Sequence, residues 1–165
     1  MRHLFLGGLA AVMLAGCGGG TPAEVGPGDN ALIGTWQQQG EIPSADGSVV
    51  LSEGTVSYAA DGTSRMDAVM VVNAPPLPAT DQRYRMRADV TWTLDETVLT
   101  RSLGTITLSP ETETEQSRDI AAQYQAALNA SPPARYIVEQ LDDSSMALLD
   151  PDNGNTIRYK RVAAP

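Results

Sequence analysis

The chain has 165 residues, 11 Lys+Arg against 20 Asp+Glu, and a single cysteine, which bounds it to one domain with enough length to bury a core. Its net charge of −9 repels phosphate backbones, so nucleic acid is not an expected partner. His3 is the sole histidine and Lys160 the sole lysine, so the body of the chain cannot assemble Ser-His-Asp, Cys-His or histidine-ligated metal sites. No cofactor is expected, and any catalysis would rest on carboxylates, Tyr, Ser or Arg.

In chain order, Arg2 and His3 precede an apolar run from Leu4 to Leu14, the layout of a bacterial secretory signal. The run is shorter than the roughly 20 apolar residues that span a bilayer. It ends in Leu14-Ala15-Gly16-Cys17, which resembles the lipobox of bacterial lipoproteins. That resemblance implies removal of residues 1–16, a diacylglycerol on the Cys17 thiol, and attachment to the membrane through lipid. Gly18 stands where many inner-membrane lipoproteins carry aspartate, so the resemblance favours the outer membrane, facing the periplasm. Removing 1–16 leaves 149 residues with 10 Lys+Arg and 20 Asp+Glu, a net charge of −10. That charge opposes flat docking on an anionic surface, so the lipid must supply the attachment. With Cys17 lipidated no disulfide is possible, and the fold stands on packing alone.

Residues 17–30 are Gly/Pro-rich without apolar periodicity and read as a flexible tether, and residues 31–165 form the domain. Strands are predicted near 32–39, 49–60, 63–73, 82–94, 97–108, 135–141, 145–150 and 155–162. Asp61-Gly62 and Asn153-Gly154 suit tight hairpins; Asp95-Glu96 and Asp142-Asp143-Ser144 supply polar reversals. Ala74-Pro75-Pro76-Leu77-Pro78 cannot pair in a ladder and is a connection. The clearest alternation sets Tyr84, Met86, Ala88, Val90, Trp92 and Leu94 against Arg83, Arg85, Arg87, Asp89, Thr91 and Thr93, a strand with one dry and one wet face. Met66, Ala68, Met70 and Val72 repeat it against Arg65 and Asp67. Gly104 interrupts the phase of the fifth strand, where a bulge or bend is expected. Between Thr112 and Asn129, Ile120, Tyr124, Ala127 and Leu128 recur at helical spacing, with Thr112 and Glu115 fitting a capping box.

Eight antiparallel strands without disulfides favour a closed barrel or a sandwich, since closure removes reactive edges. Gly34-Thr35-Trp36 is similar to the Gly-x-Trp of lipocalins, and Tyr58-Ala59-Ala60-Asp61-Gly62-Thr63 and Thr91-Trp92-Thr93-Leu94-Asp95 look like the hairpins of small lipocalin-like lipoproteins. Ile157-Arg158-Tyr159-Lys160-Arg161-Val162 fits their last strand. The resemblance, over roughly Leu32 to Val162, implies an up-and-down eight-stranded barrel, here with its helix between strands five and six. It also implies that Gly34 and Trp36 form the barrel base, with the tryptophan beneath Arg158, or Arg161 three residues on.

Met66, Met70, Met86 and Met146 with Tyr58, Tyr84 and Trp92 are candidates to line an adaptable apolar cavity, because methionine is unbranched and polarizable. Eight strands enclose either a filled core or one small ligand. Arg83, Arg85 and Arg87 read either as an anion-binding stripe or as a solvated exterior paired with acids such as Asp67. Asp150-Pro151-Asp152-Asn153-Gly154 fails the calcium-loop spacing and reads as a turn. Glu53, Asp61, Asp67 and Glu96 offer no facing carboxylate pair for a glycosidase-type hydrolase. The expectation is a monomeric, non-enzymatic, lipid-anchored envelope protein. Its barrel takes a small apolar or amphipathic ligand through Tyr58, Met66, Met70, Tyr84, Met86 and Trp92. The alternative is an interaction protein with a solid core and an exposed apolar patch.

Overall fold

A computed structural model of the chain describes residues 29–44, 48–73, 78 and 82–163. The expected signal, Cys17 and the tether to residue 28 lie outside the described residues, as does the proline-rich connection apart from Pro78. The first described element is a helical turn, α1 (Asp29–Leu32), which takes in the expected domain start at Ala31.

Nine strands follow among the described residues: β1 (Gly34–Gln39), β2 (Ile42–Pro43), β3 (Val49–Tyr58), β4 (Thr63–Val72), β5 (Arg83–Asp95), β6 (Val98–Pro110), β7 (Ala134–Leu141), β8 (Ser145–Leu149) and β9 (Thr156–Arg161). A helix, α2 (Glu115–Asn129), separates β6 from β7. Each strand from β3 onward pairs antiparallel with the next, and β1 closes the ring by pairing with both β3 and β9. Two-residue β2 is an appendage on the start of β3. The result is the expected up-and-down eight-stranded barrel with one helix between its fifth and sixth strands.

The expected alternation is what closes it. In β5, Tyr84, Met86, Ala88, Val90 and Trp92 are buried, while Arg85, Arg87, Asp89, Thr91 and Thr93 between them are exposed. The hairpin turns use the expected chemistry, with Gly62 at φ +80° and Gly154 at φ +73°. At the third reversal Asp142 accepts the backbone N–H of Ser144 and Ser145, both at 2.8 Å.

The helix differs at its start. Its N-cap is Thr114, and the box is closed by Ser117, whose N–H donates to Thr114 Oγ1 (3.0 Å) while its hydroxyl accepts the Thr114 N–H (2.9 Å). Thr112 instead lends its carbonyl to the Ser117 hydroxyl at 2.7 Å. A fully buried serine thus replaces the expected Glu115, which remains in the first turn on the exposed side. The helix lies where the barrel wall needs it. β6 pairs with β7 only over Val98–Arg101, leaving its upper half with one open edge. α2 packs along that half, and Gln125 Oε1 accepts the Leu108 N–H at 3.0 Å, satisfying a donor that has no ladder partner on that side.

Two apolar clusters fill the two ends of the barrel. The lower contains Leu32, Trp36, Tyr58, Trp92, Leu99, Met146, Leu148 and Tyr159; the upper contains Met70, Val72, Tyr84, Met86, Ile106 and Leu108 with Ala121 from α2.

Candidate functional site in the barrel interior

The base is built from the sequence upward. Trp36 is fully buried, and its Nε1 donates to the Leu32 carbonyl at 2.8 Å, tying β1 to α1. The guanidinium that stacks on it belongs to Arg161, 4.1 Å from the ring centroid, and not to Arg158, whose side chain is exposed. Strand alternation decides this: Ile157 and Tyr159 point inward, so Arg158 between them points out, while Arg161 shares the inward phase at the barrel's end. Arg161 also donates through Nη1 to Ile33 O (2.7 Å) and through Nη2 to Ala31 O, capping the carbonyls that end α1. Gly34 has φ +132°, and a Cβ there would stand 2.5 Å from Arg161 Nη1. The Gly-x-Trp pattern therefore marks a glycine that leaves room for an arginine and a tryptophan beneath it.

Above this base the interior is not filled. A cavity of about 310 Å³ lies between the two clusters, bounded by Val49, Leu51, Met66, Met70, Met86 and Leu103 on one side and by Arg101, Tyr136 and Tyr159 on the other. Leu128 of α2 and the β8–β9 turn residues Asp150 and Asn153 border it as well. The candidate lining residues divide. Met66, Met70 and Met86 face the cavity. Tyr58 is buried beside it in the lower cluster, with Trp92 packed edge-on against its ring (centroids 5.7 Å apart) and the Trp92 Nε1 donating to Thr63 O. Trp92 thus secures the β3–β4 hairpin. Tyr84 is fully buried in the upper cluster and Met146 in the lower, and neither borders the space.

Arg83, Arg85 and Arg87 lie on the outer wall. Arg83 pairs with Glu111 (3.1 Å), Arg87 with cross-strand Asp67 (3.0 Å), and Arg85 approaches Glu111 at 4.0 Å, an exposed ladder of pairs worth little individually.

Arg101 stands inside the barrel because of a break in strand phase. Two β6 residues, Gly104 and Thr105, face the single residue Asp89 of β5, and this bulge reverses the phase of β6. Before it Leu99, Arg101 and Leu103 face inward; after it Ile106 and Leu108 do. Glycine eases the close approach of the two strands here, since a Cβ at 104 would crowd the Asp89 carbonyl oxygen at 3.0 Å. The alternation of Leu99, Arg101 and Leu103 ahead of that glycine was the available signal.

Arg101 sits among phenols. Its Nη1 donates to Tyr58 Oη at 3.4 Å, and its guanidinium carbon lies 4.3 Å from the Tyr136 ring centroid. Burial pushes the Tyr58 hydroxyl up to about 12 and raises Tyr159 as well, so both are neutral at pH 7. Burial works against the Arg101 charge and the three facing tyrosines work for it, with a net upward direction, so the guanidinium is permanently protonated. The one carboxylate bordering the cavity among the described residues, Asp150, is occupied within its own turn, accepting the Asp152 N–H (2.9 Å) and Asn153 Nδ2 (3.0 Å). Ser64, 6% exposed and facing inward, also borders the cavity, and its hydroxyl has no hydrogen-bond partner among the described residues.

No protein-family model matches the chain, and no curated protein sequence matches it significantly. Among solved structures it is similar to a lipocalin-like protein from Bacteroides uniformis (16% identity, TM-score 0.41, covering 80% of this chain and 99% of that one). It is also similar to an uncharacterized protein from Bacteroides eggerthii (13% identity, TM-score 0.47, 79% and 99%). A third is a protein from Burkholderia xenovorans (18% identity, TM-score 0.37, 82% and 86%).

Proposed function

We propose that this protein is a binding module that holds a small amphipathic molecule inside its barrel while a lipid on Cys17 keeps it at the cell envelope. The observation that carries the reading is the 310 Å³ cavity, which joins a methionine-rich wall to a polar one. That volume is at the lower end of the range for small-molecule sites, and apolar lining with a few convergent polar groups is their usual composition. Methionine side chains re-pack at little cost around ligands of differing shape. An interaction protein with a solid core would show the opposite pattern, a filled barrel and an apolar patch outside. Here the exposed large hydrophobic residues among those described are Ile137 and Val162, one on β7 and one just past β9. A carboxylate-dependent hydrolase would need two acids at one cleft, and the cavity offers Asp150 alone among the described residues.

Native mass spectrometry of protein purified without refolding tests the reading. A reproducible added mass that disappears on denaturation, and that Met66→Trp abolishes by filling the cavity, supports it. Bare protein mass, with no shift in melting temperature across a panel of amphiphiles, overturns it. The anchor is tested separately by the mass of the N-terminal peptide, which carries a diacylglycerol that Cys17→Ala eliminates.

A further inference from the structure

We propose that Arg101 is the recognition residue of this cavity and that the ligand is an amphiphile with a single anionic head, a carboxylate in the simplest case. The proposal rests on the reading of the barrel as a ligand site and specifies which ligand chemistry it takes. An arginine side chain presents a planar fork of five donors suited to the two oxygens of a carboxylate. A charge even partly removed from water, as the half-buried Arg101 guanidinium is, is unfavourable unless an opposite charge meets it. Arg101 is held inside the barrel by the β6 bulge, and the ion pairs among the described residues all belong to other arginines, on the outer surface. What faces Arg101 is Tyr58, Tyr136 and Tyr159, with Asp150 across the cavity held by its own turn. Phenols orient the guanidinium without neutralising it. The site therefore presents, at one end of an apolar space, a positive charge that no carboxylate among the described residues meets within ion-pair distance.

The geometry sets the rest of the ligand. Arg101 and Tyr136 stand on the polar side of the cavity, and Met66, Met70 and Met86 on the other, so a head on Arg101 sends its tail among the methionines. At about 30 Å³ for each water-sized group, the cavity holds roughly ten non-hydrogen atoms, the size of a medium-chain carboxylate. The unpartnered Ser64 hydroxyl beside it offers a further polar contact on binding.

The test uses residues 17–165 with Cys17→Ser, which needs no detergent; the closed ladder, both core clusters and the base lie within residues 29–163. Octanoate and 1-octanol are titrated by calorimetry into this protein and into its Arg101→Met variant. Octanoate is expected to bind at least tenfold more tightly than 1-octanol, and Arg101→Met to remove that preference while leaving 1-octanol binding in place. Equal affinities that the variant does not change would overturn the role of Arg101 and leave the cavity reading standing; failure of both probes to bind the parent protein would overturn both. A pH series on the parent protein needs no variant to fold. Because Arg101 stays charged and Tyr58 and Tyr159 stay neutral below pH 9, octanoate affinity should be flat down to about pH 5.5 and then fall as the free carboxylate is protonated near pH 4–5. Affinity that rises or holds constant through pH 4 refutes the proposal.

Discussion

Replacing Arg161 by methionine while leaving Arg158 untouched, and the reverse, separates two arginines that sequence alone left interchangeable. Arg161→Met removes two charge-assisted hydrogen bonds, to Ile33 O and Ala31 O, and the stacking on Trp36. Hydrogen bonds to charged groups contribute about 1.5–3 kcal/mol each, and a partly desolvated cation–π contact about 0.5–2 kcal/mol. Against this, the variant no longer holds a half-buried guanidinium whose Nε finds no partner. Relief of that desolvation offsets a substantial part, leaving a net loss of roughly 2–4 kcal/mol. For a domain of this size that corresponds to a melting temperature lower by about 6–15 °C. Arg158→Met, on the exposed face of β9, should stay within about 0.5 kcal/mol of the parent protein. Urea unfolding followed by fluorescence of Trp36 and Trp92 measures both. If the two variants lose similar stability, or if Arg158→Met loses more, the account of the base is wrong.

Two further outcomes follow from the same structure. Gly34→Ala forces a side chain into a φ of +132° and against Arg161 Nη1, and should lower stability by about 1–3 kcal/mol in urea unfolding; a neutral result would mean that β1 enters the barrel differently. Tyr58 has its hydroxyl pushed above its ordinary value of 10.0 to about 12, so the folded protein keeps a proton that the unfolded chain releases. Its contribution is intact below pH 10 and is lost as pH rises towards 12, on the order of 2–3 kcal/mol in full. Urea midpoints between pH 9 and 11.5 should fall steeply in the parent protein and less so in Tyr58→Phe, and equal slopes would rule out Tyr58 as the source.

The barrel was legible because its determinants are local and periodic. The alternation from Tyr84 to Leu94 and from Met66 to Val72 assigned inside and outside before any pairing was known, and Asp61-Gly62 and Asn153-Gly154 marked hairpins through the need for positive φ. The capping box was harder, since Thr112 and Thr114 both precede a residue three positions on that can complete it, Glu115 and Ser117. Packing chose the pair that buries Ser117, whose hydroxyl donates to the Thr112 and Thr114 carbonyls. The cavity wall was legible in part. Met66, Met70 and Met86 share a face with Tyr84 and Trp92, but depth along the barrel, which no alternation encodes, leaves only the methionines of that set beside the space.

By itself, then, the sequence determined the class of fold, the direction each β5 side chain points, the position of the helix between the fifth and sixth barrel strands, and the chemistries denied to a chain with one histidine and one lysine. Those properties depend on residue type and on spacing within one element. The tertiary structure alone decided that Arg161 and not Arg158 stacks on Trp36, that α2 seals the half of β6 that β7 leaves unpaired, and that Arg101 stands inside the barrel. Each depends on where one strand ends relative to another, or on a bulge that reverses the phase of a strand, and such offsets between distant segments arise only when the ring closes.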